Sequence, residues 1–282
     1  MSWLLALLTV LLHTRLLRCQ CNIRREALTP ATTFALLDEP YVIVRDPNSY
    51  KTTDHLLREK SDRKHLLEHY GESTVTLTSS NSFAHGSHRM TLERYILDHV
   101  DGLAAVNSYS SCIATATDMH GSCSGANASS NHRRVSSNES LYLFGNNYNG
   151  VFADLESIYS IEECSFCKKA GMPTIGIGGR GSGVNFHYHG PGFQEVIHGS
   201  KRWFLVKPGT DPSYYHYHPN KSVSEWVTID YSEVGLPEGQ SIYDCVLQQN
   251  ELLYFPRNYM HATLNLDDYN VFVSLFIDPQ LI

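Results

Sequence analysis

Two histidines one residue apart, His187 and His189 in the stretch FHYHGPGFQEVIHGSKRWFLV, stand at the end of an apolar run. Side chains at i and i+2 of an extended strand leave the same face, so both imidazoles can reach one ion about 2 Å from each ring nitrogen while Tyr188 points away. A third ligand has to come from another strand. His261 in YFPRNYMHATLNL is placed for it, because Pro256 and Asn258 mark a turn between two apolar runs and His261 opens the second. Three imidazoles suit zinc, nickel, copper or iron. Glu195 is the one carboxylate close by in the stretch, and it reads as a solvated charge before it reads as a fourth ligand. With 15 histidines in the chain, a pair alone is weak. His216 and His218 in YYHYHPN lie in a Tyr, Pro and Asn loop and read as surface residues.

The elements that must carry these residues are short. LYLFG, TIGIG, NFHYH, KRWFLV, YDCVL, ELLYFP, HATLNL and VFVSLFI are apolar or alternating runs between Gly, Pro and Asn turns. Eight such runs predict a mainly β domain over residues 138–282, built as a closed barrel or double-sheet jelly roll. Ahead of it, residues 20–106 read as a mixed α/β region packing on the barrel. PATTFALLDE reads as a helix, YVIVRD and STVTLTSS as strands, SDRKHLLEHYG as a helix with a Ser61 cap and a Gly71 stop, and TLERYILDHV as a helix from Thr91. Residues 107–137 shift to Ser, Asn, Ala and Gly and form an insertion loop, closed by Cys112 and Cys123.

At 282 residues and 42% hydrophobic, the chain can bury one sizeable core. A net charge of -7 without a Lys/Arg cluster disfavours nucleic acid as a partner. The apolar run Leu4 to Leu12 has the length of a signal-peptide core and is too short to span a bilayer, although no Lys or Arg precedes it and Arg15 and Arg18 follow. Removal of residues 1–19 leaves Cys21, Cys112, Cys123, Cys164, Cys167 and Cys245, an even set for disulfides. Acceptor sequons at Asn127, Asn138 and Asn220 agree with a secretory route. These features together predict a glycoprotein of the endoplasmic reticulum lumen or a secreted one, without a transmembrane segment in the mature chain. Cys164-Ser-Phe-Cys167 lacks a βαβ setting, so structural disulfides, with each other or with Cys21 or Cys245, are favoured over a redox pair. The glycines of GIGGRGSG lack the Lys-Ser/Thr of a phosphate loop and read as a hairpin turn, and no Gly-x-Ser-x-Gly elbow is present.

GSGVNFHYHGPGFQEVIHGSKRWFLV followed by ELLYFPRNYMHATLNLDDYNVFVSLF resembles the core of JmjC-domain proteins in the cupin superfamily, with CNIRREALTPATTF, SLYLFGNN and YHPNK as further marks. The resemblance runs from Cys21 to the end, apart from the insertion. It implies a double-stranded β-helix that holds Fe(II) by a His-x-Asp/Glu pair and a distal His, with open positions for 2-oxoglutarate and oxygen. His187 matches the first ligand and His261 the distal one. Lys201 matches the lysine that pairs with the far carboxylate of 2-oxoglutarate, and Ser274 the hydroxyl that assists it. His189 departs, standing where the family has its carboxylate and raising the charge of the site by one unit.

Three readings follow: an Fe(II)/2-oxoglutarate-dependent hydroxylase of a polypeptide; a catalytically impaired JmjC scaffold that binds secretory-pathway partners through the barrel surface and loops such as PSYYHYHPNKSVSEW; and a metal-only cupin dioxygenase. Histone demethylation fits least, because the leader directs the chain away from chromatin.

Overall fold

Short runs rich in β-branched and aromatic residues become strands here wherever Gly, Pro or Asn breaks the chain between them. The computed structural model describes residues 21–27, 38–46, 52–79, 87–101, 140–145, 150–161 and 171–277. The leader, the PATTFALLDE helix, the insertion and the Cys-Ser-Phe-Cys motif fall wholly or largely outside these residues.

In chain order the first elements are β1 (Arg24–Ala27) and β2 (Tyr41–Val44), then α1 (Thr52–Lys60) and α2 (Arg63–Tyr70). They are followed by β3 (Thr74–Ser79), β4 (Ser87–Thr91), α3 (Leu92–Tyr95), β5 (Leu141–Tyr142) and α4 (Ala153–Ile158). The helix read from Thr91 starts at Leu92 with Thr91 as its cap, and it runs on as a π turn over Ile96–Val100. The cap of α2 is Asp62, not Ser61: the Asp62 carboxylate accepts from the His65 backbone N–H, whereas Ser61 is buried and its N–H closes on Leu57. Two cap-forming residues stand side by side, and the one left free by the end of α1 takes the role.

Next come β6 (Thr174–Gly178), β7 (Gly183–His187), β8 (Gly192–His198), β9 (Lys201–Val206), α5 (Val223–Ile229), β10 (Tyr243–Leu247), β11 (Glu251–Phe255), β12 (Met260–Asn265) and β13 (Asn270–Phe276). β6, β8, β11 and β13 lie in a six-stranded sheet ordered β1-β2-β11-β8-β13-β6, while β7, β9, β10 and β12 form a four-stranded sheet ordered β10-β9-β12-β7. Eight strands shared four and four between facing sheets make the double-stranded β-helix of a jelly roll. β1 and β2 extend the larger sheet, with β1 parallel to β2 and β2 antiparallel to β11.

Two further expectations need correction. GIGGRGSG is not a hairpin turn: β6 and β7 belong to different sheets, and the glycine run crosses between them, with Gly181 at φ 80°. Glu195 is no solvated charge. It is wholly buried on β8, on the face opposite the barrel interior, where it accepts from Arg45 at 2.8 Å, Arg58 at 3.3 Å and the Tyr159 hydroxyl at 2.8 Å. This network ties the segment before α1, α1 itself and the end of α4 to the back of the larger sheet, beside a core cluster that includes Tyr95, Phe152, Phe193 and Ile197.

Outside the smaller sheet, the β9–β10 connection folds its aromatics inward. Tyr215 and Trp226 are 1% exposed and pack on Phe186 and Phe204, whereas Tyr214, His216, His218 and Asn220 of the same loop stay exposed.

Candidate metal centre

β7 and β12 are neighbours in the smaller sheet, and their register sets His187 directly opposite His261. The close approach has a local cause: a Cβ at Gly183 would stand 1.8 Å from the Thr263 carbonyl oxygen, so only glycine lets β7 lie this near β12. β7 ends at His187, and His189 lies in the connection that follows rather than on the strand, yet it returns to the same face. Ring centroids are 4.2 Å apart for His187 and His261, 4.7 Å for His189 and His261, and 5.4 Å for His187 and His189. One ligand nitrogen from each lies within 4.8 Å of the others. Nitrogens about 2.1 Å from a shared ion sit ~3.4 Å apart, so modest ring movements close the triad on a metal.

The protonation state also fits. Nδ1 of His187 faces the Asn185 carbonyl at 2.8 Å, that of His189 the Gly190 carbonyl at 2.7 Å, and that of His261 the Tyr259 carbonyl at 2.9 Å. A carbonyl oxygen only accepts, so each Nδ1 carries the proton and each Nε2 keeps its lone pair. Burial pushes His187 down to about 4 and His189 below its usual value, and burial reinforced by the other two rings holds His261 well below its own. Three neutral imidazoles on one spot are a donor set for a divalent ion, and a metal displaces no proton on entering.

Lys201, the first residue of β9, points into the same interior and is 1% exposed. Its Nζ donates to the Tyr142 hydroxyl at 2.6 Å and stands 3.4 Å from the centre of the Phe272 ring. Burial drives this amine well below the usual lysine range and the Tyr142 phenol well above its own. Ser274 on β13 accepts from Gln194 Nε2 at 2.8 Å. These groups and the triad line one cavity of about 30 Å³ whose other walls include Phe144, Trp203, Phe255 and Phe276. Two buried polar atoms in its lining, Trp203 Nε1 and Gln194 Oε1, have no hydrogen-bond partner among the described residues. No carboxylate lines the cavity among the described residues.

The structure thus brings together His187, His189, His261, Lys201 and Ser274. Tyr142, Gln194 and Trp203 were not legible as site residues. Tyr142 stands on a two-residue strand far upstream, and the only sequence signal for it is a buried lysine's need for a polar partner. His216 and His218 lie apart: His216 Nε2 bonds the Glu233 carbonyl, and His218 Nδ1 accepts from the Asn220 N–H. Asn220 is exposed. Cys21 and Cys245 form a disulfide. Cys112, Cys123, Cys164, Cys167, Asn127 and Asn138 lie outside the described residues.

Among known proteins, JmjC domain-containing protein 8 of Homo sapiens is 32% identical to this chain over 261 residues, covering 92% of this chain and 84% of that one. The chain belongs to the JmjC-domain family. The Mus musculus protein of the same name is 30% identical over 259 residues, with 92% of this chain and 82% of its own covered. A shorter likeness, 29% over 102 residues, covers 33% of this chain and 20% of a protein named arginine-specific demethylase JMJ22 from Arabidopsis thaliana. No protein-family model matches the chain. Within this JmjC-domain chain three histidines and one lysine face a common cavity, and no acid is among its described lining.

Proposed function

We propose that this JmjC-family chain holds one divalent metal ion, Fe(II) by family expectation, on His187, His189 and His261, and acts as a 2-oxoglutarate-dependent oxygenase on a polypeptide in the endoplasmic reticulum lumen. The observation that carries the reading is the convergence of three neutral imidazoles and one buried lysine on a single cavity with no acid among its described lining. When bound, Fe(II) with 2-oxoglutarate and oxygen supplies oxidative decarboxylation coupled to C–H hydroxylation.

The chain's own residues bind and orient. Lys201 pairs with an arriving carboxylate, while Tyr142 and Ser274 offer hydroxyls beside it. Trp203 Nε1–H offers a hydrogen bond that a ligand oxygen would accept. Phe144, Phe255 and Phe276 restrict water. In the rotamers seen the cavity has room for water only, so a dicarboxylate displaces part of that aromatic wall.

The lumenal placement draws support from the Cys21–Cys245 disulfide, a bond that persists in oxidising compartments, and from the exposure of Asn220. The second reading, a scaffold without turnover, is favoured by His189 alone; the third, a metal-only dioxygenase, is weakened by the burial of Lys201 in the cavity. Anaerobic titration with Fe(II) and 2-oxoglutarate separates them. The oxygenase reading expects the visible charge-transfer band of the ternary complex and succinate on admission of air with substrate peptides. A chain that binds metal but gives neither band nor succinate supports the scaffold.

A further inference from the structure

We infer that Phe255 and Phe276 are positioning residues that hold the His189 imidazole as a metal ligand, so that the centre is built for three imidazoles rather than being a carboxylate site that lost its acid. The inference rests on the metal reading above. Because β7 stops at His187, no strand ladder fixes His189. Four contacts do so instead. Nδ1–H donates to the Gly190 carbonyl at 2.7 Å, and the His189 carbonyl accepts from the Asn258 N–H at 3.0 Å. The ring then meets Phe255 at 5.3 Å and 74°, and Phe276 at 5.0 Å and 84°, both edge-to-face. Such pairs have a preferred angle as well as area, so together they set the plane of the imidazole.

The strands show how the pair is placed. Phe255 ends β11 and Phe276 ends β13, and both are register partners of Gly192, the first residue of β8 between them. A Cβ at Gly192 would stand 2.7 Å from the Phe255 ring. Glycine in the middle therefore leaves the gap that the Phe255 ring enters on the way to His189. The same surroundings suit an acid poorly: two aromatic rings offer no hydrogen-bond donor to a carboxylate, and the shorter aspartate side chain cannot reach both.

The test is titration of the full chain with Co(II) alone, following its visible d–d spectrum, in wild type, Phe276→Ala, Phe276→Tyr and His189→Asp. Phe276 is 39% exposed, so its truncation leaves the buried core in place, and circular dichroism checks the fold. Phe276→Ala is expected to bind Co(II) about fivefold more weakly with a changed band shape, and Phe276→Tyr to restore both. His189→Asp, although it recreates the family pattern, is expected to bind at least tenfold more weakly. Phe276→Ala with wild-type affinity and spectrum, or His189→Asp binding more tightly, overturns the clamp while leaving the metal centre standing. A wild-type chain that takes up no cobalt overturns both.

Discussion

Replacing Lys201 by methionine should stabilise the empty protein and abolish its response to a dicarboxylate. The amine is 1% exposed and has one hydrogen-bond partner among the described residues, the Tyr142 hydroxyl at 2.6 Å, with the Phe272 ring against its face. An amine has at least two N–H groups to satisfy, so part of its desolvation goes uncompensated, at a cost of ~1–3 kcal/mol. A thioether of similar length removes that cost. For a chain of this size the gain corresponds to a rise of about 2–6 °C in Tm. In wild type, 2-oxoglutarate at a hundred times its Kd stabilises by about 2.7 kcal/mol, again several degrees. Thermal melts of metal-loaded wild type and Lys201→Met, with and without 2-oxoglutarate, read both effects. A variant with a lower melting temperature than wild type, or one that still responds to 2-oxoglutarate, refutes the assignment of Lys201 as a strained anion anchor.

Glu195→Ala should cost ~3 kcal/mol by urea denaturation, since it removes the shared acceptor of Arg45, Arg58 and Tyr159 in a buried network; a loss under 1 kcal/mol would show that the network is neutral. Cys21→Ala should lower stability by ~3–5 kcal/mol, because the Cys21–Cys245 bond spans 224 residues, and adding a reductant to the variant should do less than adding it to wild type. Metal-free protein should lose stability on acidification. The folded pKa of His187, about 4, lies below its unfolded value, so the neutral form's advantage is intact above pH 6.5 and is lost as pH falls toward 4, by up to about 3 kcal/mol. His189, His198 and His261 are shifted in the same direction by burial and steepen the loss. A flat stability profile from pH 7 to 5 in metal-free protein would contradict this.

The legible parts of the site were those that period-2 spacing or a long motif could carry. His187 and His261 follow from strand patterning plus one turn, and Lys201 from its motif. β8 is absent from the apolar and alternating runs because both of its faces are buried: Phe193, Glu195 and Ile197 face the N-terminal layer, and Gln194 and Val196 the interior, so no polar alternation marks it. The same double burial hid the side on which Glu195 lies. Tyr142 reaches Lys201 from 59 residues away in sequence, a contact that only the tertiary fold creates. The sheet crossing at GIGGRGSG read as a hairpin because glycine reports backbone freedom, not the sheet to which the next strand goes.

The most direct test of the central claim is the metal content of the chain purified from a eukaryotic secretory host, beside a His187→Ala/His261→Ala variant shown to be folded. The account predicts about one divalent ion per wild-type chain and a near-complete loss in the variant. A folded wild-type chain without metal, or a variant that keeps it, would contradict the account.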